Sequence, residues 1–148
     1  MMQLIILKNN LFKKWFKDIY LISIIYMAPH KIDFTKGIIY KIEAKDNKDL
    51  IYIGSTSNFM KRRCDHKSRC NNPKDQAYNF KLYRMIREHG GWDSFKCEII
   101  KAYPSQNKKE LLIEEEKYRK NLNSNMNTIK CCSESDFLDH FQNLTISN

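Results

Sequence analysis

From Gly37 onward the chain alternates between short β-forming runs and longer stretches with helical spacing. Gly37–Lys45 carries Ile38, Ile39, Tyr40 and Ile42, side chains that favour a pleated surface, and predicts a strand. Asp46-Asn47-Lys48-Asp49 is turn chemistry. Leu50–Ser55 reads as a second strand, so the two make a hairpin. Ser57 or Asn58 can cap a helix running to Arg69, and Cys70–Gln76 reads as a loop. Tyr78–His89 reads as a second helix with Tyr78, Leu82, Met85 and Ile86 as its apolar stripe. Gly90-Gly91 ends it, because glycine tolerates the left-handed conformation that closes helices. Phe95–Tyr103 predicts a third strand and Asn107–Leu122 a third helix. The order ββ-α-α-β-α predicts an α+β domain with a small three-stranded antiparallel sheet flanked by helices.

Residues 1–27 have a different texture: Leu, Ile, Phe and Tyr broken by Lys8, Lys13, Lys14 and Lys17, then the apolar run Ile19–Met27. Four readings stay open. The run faintly copies a signal peptide. It also suits an amphipathic helix packed on the domain, or a basic surface-seeking helix. Alternatively, translation starts at Met27. The organisation expected is therefore an extension over 1–31, a domain over 32–130 and a short acidic tail over 131–148. No segment reaches the roughly 20 unbroken apolar residues of a membrane helix, which argues against an integral membrane protein.

The 148 residues suffice for one domain. With 42% apolar side chains, 8 Phe and 8 Tyr, the chain can bury a core, and it is not composed like a disordered tail. Charge then narrows the class of partner. The formal charge is +9, and residues 61–87 alone hold nine Lys/Arg against two Asp, a local surplus of +7. Such a surplus suits a polyanion, most often nucleic acid; its bland counterpart is a solvated basic surface. The five cysteines are odd in number and none is spaced Cys-x-x-Cys, which disfavours a disulfide framework or zinc ribbon. Reduced thiols in an intracellular protein fit better, in cytoplasm, nucleus or a host cell carrying a phage or virus.

Two short strings carry candidate chemistry: Gly37-Ile38-Ile39-Tyr40 and Tyr52-Ile53-Gly54. Either alone is ordinary strand sequence. Arg62 follows ten residues after Tyr52 on the next expected helix. His66 comes one turn later, so both share a face. The third helix supplies an acid. In this arrangement the chain resembles the GIY-YIG nuclease family, whose members include phage and intron homing endonucleases. The resemblance spans Gly37 to Asn127. Tyr52-Ile53-Gly54-Ser55-Thr56 matches closely, Arg62 and His66 fall at the family spacing, and Asn79–Trp92 looks like the second helix of versions from phages and large DNA viruses. The first motif departs slightly, reading Gly-Ile-Ile-Tyr.

Glu114, Glu115 and Glu116 compete for the acidic role. Leu111, Tyr118 and Leu122 define one stripe. Glu115 falls about 40° from Leu111, whereas Glu114 and Glu116 lie about 60° and about 140° away. A carboxylate on the inward stripe is costly unless it meets a cation or donors. The family glutamate precedes an aromatic by three residues, which is Glu115 before Tyr118. Glu115 is the expected acid, with its neighbours read as solvated charges.

The resemblance implies a Mg²⁺-dependent (or Mn²⁺-dependent) DNA endonuclease. Glu115 would hold the metal, a hard cation suited to oxygen ligands. Arg62 would meet the scissile phosphate with forked donors. Tyr40 is the expected general base, Tyr52 would position water or phosphate, and His66 would orient Tyr40 or accept a proton. Free tyrosine titrates near about 10, so Tyr40 needs help from its surroundings. Which tyrosine plays which part depends on hairpin register, since a one-residue slip reverses the face. Asn127 is the family asparagine after the third helix or, equally, a polar turn.

Lys61, Arg63, Lys67, Arg69, Lys74, Lys81, Arg84 and Arg87 form a pool for phosphate-backbone contacts, which position DNA without reading it. About 20 residues follow Asn127 and they are acidic, with no zinc finger or basic recognition helix. Little sequence specificity is expected from this chain alone, so a separate targeting protein is a candidate partner. The alternative is a catalytically inactive nucleic-acid-binding module that keeps the fold. His89 reads as a helix C-terminal residue, and Trp92 and Phe95 as packing for the sheet; His30 and His140 are given no role.

Overall fold

Three strands follow a short 3₁₀ turn at Phe34–Lys36: β1 (Ile38–Ala44), β2 (Ile51–Thr56) and, after two helices, β3 (Phe95–Ala102). The helices are α1 (Phe59–Asn71), α2 (Lys81–Glu88) and α3 (Lys108–Asn121), with a second 3₁₀ turn at Trp92–Ser94. The structure is a computed structural model that describes residues 32–139. The N-terminal run, His30 and His140 lie outside the described residues. The sheet is antiparallel in the order β2-β1-β3, so the first strand occupies the centre. The expected α+β class, with three strands flanked by helices, is what the fold shows. Among the described residues no helix is long and apolar enough to cross a membrane.

A central strand needs apolar side chains on both faces, and β1 has them. Tyr40, Ile42 and Ala44 face a core shared with Leu82, Tyr83, Ile86, Trp92 and Phe95. Ile39, on the opposite parity, packs with Ile53 and Leu111. Between Ile39 and Tyr40 the β1–β3 register slips, so that Ile39 pairs with Lys101 and Tyr40 with Ile99. Ile100 is the extra residue of that bulge.

Local chemistry sets the ends. Asn58 caps α1 by accepting from the Lys61 amide at 3.0 Å, and Asn107 caps α3 by accepting from the Glu110 amide at 3.0 Å. Helix α1 runs on to Asn71, through residues expected as loop. Helix α2 starts three residues later than its apolar pattern suggests. Asp75 accepts from the Ala77 amide at 2.8 Å, and this local turn competes with helix entry. Tyr78 is left outside α2, with its ring 3.6 Å below the Arg87 guanidinium carbon. At the other end Gly90 and Gly91 have φ of 90° and 81°, and the Gly91 amide donates to Ile86 O at 2.8 Å. His89 occupies the C-cap, its Nδ1 2.8 Å from Met85 O.

Strand β2 is an edge, and an open edge exposes unpaired backbone. The segment after α3 covers it. The Met126 amide donates to Ile51 O at 3.0 Å. The Asn127 side chain accepts from the Ile53 amide at 2.9 Å and donates to Ile53 O at 2.8 Å, as a neighbouring strand would. Residues 131–136 then return along α3, with Lys109 and Lys120 pairing to Asp136 and Glu134 at 2.6 and 2.9 Å.

Candidate active site

Hairpin register places the two motif tyrosines on one face. Tyr40 is opposite Gly54, and Tyr52 is opposite Ile42. Opposed residues share a face and i,i+2 residues share a face, so Tyr40, Ile42, Tyr52 and Gly54 all point the same way. The rings of Tyr40 and Tyr52 sit 6.3 Å apart. Gly54 is required by this arrangement: a Cβ there would lie 2.5 Å from Tyr40 Oη. The glycine of the second motif is thus the floor over which the tyrosine of the first motif lies.

Helix α1 delivers Arg62 and His66 to that hydroxyl. Arg62 Nε donates to Tyr40 Oη at 3.0 Å. Tyr40 Oη and His66 Nε2 share a hydrogen bond of 2.8 Å. The far side of the imidazole meets Tyr83 of α2, with Nδ1 3.0 Å from Tyr83 Oη. Trp92 lies nearly parallel to the imidazole, with centroids 6.3 Å apart and planes 16° apart, and so restrains its plane. Tyr40 and His66 are buried.

Burial governs the ionisation of this group. It pushes His66 down to about 3, with the Arg62 and Arg69 cations adding to the effect and Asp65 opposing it. His66 is therefore a neutral imidazole at ordinary pH. Burial likewise holds Tyr40 well above the usual phenol value, reinforced by Tyr52 and opposed by Arg62. Tyr52 is raised by burial and then by the Glu115 charge, again opposed by Arg62. For Arg62 burial works against the cation, but Tyr40 and Tyr52 more than offset it and its pKa rises.

Glu115 comes from α3 on the other side of β2. Its Oε2 accepts from Ser55 Oγ at 2.5 Å, and its Oε1 accepts from Cys131 Sγ at 3.0 Å. It is 8% exposed, and desolvation raises its pKa despite Ser55, Cys131 and Arg62. Its neighbours are not the solvated charges that the helical wheel suggests. Glu114 pairs with Lys101 at 2.9 Å, and Glu116 takes two bonds from Arg119 at 2.7 and 2.6 Å and one from the Cys131 amide at 3.0 Å. Both are buried. Cations from β3 and from one turn further along α3 supply what a wheel cannot show.

Tyr52, Arg62, His66, Tyr83, Glu115 and Asn127 line one cavity of about 620 Å³. Tyr40 stands behind them. Of the basic pool, Arg69, Lys81 and Arg84 also line this cavity, whereas Lys61, Arg63 and Lys67 do not. Lys61 pairs with Asp65 at 3.4 Å and Lys67 with Asp93 at 3.8 Å. Arg87 is engaged by Tyr78 and donates to Cys70 O at 3.2 Å. Sequence reasoning missed Tyr83, Ser55 and Cys131 as site residues. Tyr83 had one signal, a hydroxyl three residues from Ile86 on an otherwise apolar helix face. Cys131 had none, because its approach to Glu115 depends on the path of the chain after α3.

The divalent cation expected at Glu115 fits what surrounds it. The carboxylate is desolvated and lines a cavity, and its partners among the described residues are the Ser55 hydroxyl and the Cys131 thiol. Among the described residues no group of three or more His, Cys, Asp or Glu could hold a metal. One protein carboxylate with the remaining positions left to water and substrate oxygens is a normal set for Mg²⁺.

The three-stranded antiparallel sheet with its flanking helices is a GIY-YIG-like fold. Residues 36–130 match the family model described as the GIY-YIG catalytic domain. This protein belongs to the GIY-YIG family. Among solved structures it is similar to the catalytic domain of homing endonuclease I-TevI, at 29% identity and a TM-score of 0.52 over 62% of this chain and 94% of that one. Comparison with curated proteins gave no match.

Proposed function

We propose that the chain is a Mg²⁺-dependent (or Mn²⁺-dependent) endonuclease that hydrolyses DNA phosphodiester bonds, with little sequence preference of its own. The observation that carries this reading is the convergence of Arg62, His66 and Tyr52 with Glu115 on one cavity, from both sides of the β2 edge. DNA is the partner, and a separate protein is a candidate for targeting.

Arg62 is aimed at a phosphate. Its Nε is spent on Tyr40 and it also bonds the Tyr52 hydroxyl, so phosphate oxygens would meet the N–H groups that remain. Tyr52 faces the cavity and holds the attacking water or a phosphate oxygen. Tyr40 is a buried neutral phenol and cannot act as a base unaided. The proton of the water passes to Tyr52, whose hydroxyl is hydrogen-bonded to Tyr40, as Tyr52 passes its own to Tyr40 and Tyr40 passes its own to His66 Nε2, which returns it to solvent. Tyr83 takes the hydrogen bond of the Nδ1–H and so keeps Nε2 free to accept. The water oxygen forms the new bond to phosphorus as the bridging P–O bond breaks, and the leaving oxygen takes a proton from solvent. A Mg²⁺ held by Glu115 would supply charge stabilisation at the phosphate and leaving oxygen. Ser55 and Cys131 fix the direction of the carboxylate.

The test is supercoiled plasmid with Mg²⁺ or EDTA, beside Arg62→Ala and Glu115→Ala. The expected result is Mg²⁺-dependent nicking that both substitutions abolish. Nicking that survives Glu115→Ala would overturn the metal role. Tight low-salt binding with no nicking would make the chain a binding module on a nuclease fold.

A further inference from the structure

The cavity that holds Arg62 and Glu115 has a second half that the hydrolytic scheme does not use. Its wall includes Phe80 and Ile129, which are 61% and 79% exposed. Phe80 is also the N-cap residue of α2, where it forms no side-chain cap hydrogen bond. That position favours Ser, Thr, Asp or Asn, whose oxygens satisfy the free amides of the first turn. Phenylalanine there neither caps the helix nor fills the core. A residue that breaks a local preference without a structural gain marks a functional surface.

The charge around these side chains is mostly positive. Arg62, Arg69, Lys81 and Arg84 line the cavity, and among the described residues Glu115 is its sole acid. An exposed aromatic beside a row of cations is the combination that binds unpaired nucleic acid: phosphates follow the cations and a base stacks on the ring. An intact duplex offers the cations its phosphates but keeps every base face covered by its neighbours. The reacting groups are also recessed, with Glu115 at 8% exposure and Tyr40 buried behind the lining. A strand that parts locally from its complement can follow the cavity to them and stack a base on its wall.

We propose that this cavity takes one unpaired nucleotide of a DNA strand, its base against Phe80 and Ile129 and its phosphate towards Arg62. The favoured substrate is then DNA with a gap, bulge or single-stranded stretch. The inference rests on the nuclease reading for its substrate but can fail independently of it.

Binding is measured by fluorescence anisotropy in EDTA, so that cleavage plays no part. The probes are a blunt two-stranded duplex and the same duplex with one extrahelical adenosine, at equal salt. Wild type should bind the extrahelical probe about tenfold more tightly. Phe80→Ala should bring that affinity down to that of the duplex. Phe80→Trp should keep the preference, and its added indole should be quenched by the extrahelical probe and not by the duplex. Circular dichroism establishes that both variants fold, as expected for so exposed a side chain. Equal binding of both probes by wild type, or a preference that survives Phe80→Ala, overturns the proposal. Plasmid nicking without this preference leaves the nuclease standing and removes the nucleotide site. The preference without nicking does the reverse.

Discussion

The two faces of the sheet are built on different principles. On one, Ile39, Ile53 and Leu111 meet in an apolar cluster. On the other, the side chains beside Ile42 and Ala44 include a buried polar chain, Arg62–Tyr40–His66–Tyr83, joined by bonds of 3.0, 2.8 and 3.0 Å. An apolar face stabilises through burial alone and tolerates any well-packed substitute. A buried polar chain must satisfy every donor and acceptor or lose stability, and in return it holds its members in one geometry. Among the described residues no buried side-chain N or O atom lacks a partner. The second face is therefore complete as a network, and the residues assigned to chemistry are its members or its neighbours.

Removing groups from each face separates the two roles. Glu115→Ala, at the edge where the faces meet, should lower the Mg²⁺-dependent nicking rate by about a thousandfold or more, a loss of several kcal/mol of charge stabilisation. Its melting temperature should not fall, because the removed carboxylate is itself desolvated. A rate within tenfold of wild type would remove Glu115 from the site. Leu111→Ala acts on the apolar cluster. It should cost about 2–5 kcal/mol in urea unfolding while the folded fraction keeps its nicking rate. A matching loss of rate per folded molecule would show that the faces are not separable.

Acid should test the polar face alone. His66 is held at about 3 when folded, against 6.5 for an ordinary histidine. Below 6.5 the unfolded chain binds a proton that the folded chain refuses, so stability falls as pH drops through that window. At pH 4.5 the loss is about 2–3 kcal/mol relative to pH 7. Glu115 is raised and acts in the opposite direction, so the readout is the difference between wild type and His66→Gln, whose acid limb should be flatter. Parallel curves would mean that His66 titrates normally.

The smallest effect is expected at the outer end of the chain. Tyr83→Phe leaves Nδ1 of His66 without its partner and should cost about 1–3 kcal/mol of stability. It should slow nicking about tenfold, as for a partner one bond removed from the proton transfer. The ¹⁵N shifts of the His66 ring should move from a single Nδ1-protonated form to a mixture of tautomers. Unchanged shifts would reduce Tyr83 to packing.

Much of this was legible in the chain. Ile38–Ile42 and Ile51–Ile53 are β-forming and bounded by turn residues, and β1 and β2 appear there within a residue of expectation. Asn58, Asn107 and Gly90-Gly91 mark helix ends by side-chain chemistry and backbone freedom, which are local properties. The i,i+4 spacing of Arg62 and His66 placed them on one face, and the stripe through Leu111 pointed to Glu115. Where a local turn competed with helix entry at Asp75, the apolar pattern ran ahead of the helix itself.

The sequence by itself determined the elements, the family and the side chains that each element would carry. Tertiary structure decided their meetings. Hairpin register put Tyr40 over Gly54, and a pattern of apolar residues does not set register to one residue when both faces of the strand are buried. Lys101 and Arg119 turned Glu114 and Glu116 into buried pairs. The segment after α3 carried Asn127 to the β2 edge and Cys131 to Glu115. Tyr83 reached His66 across two helices. Each of these depends on a contact between residues far apart in the chain. Periodicity reports which face of an element is covered, and only the packed fold reports by what.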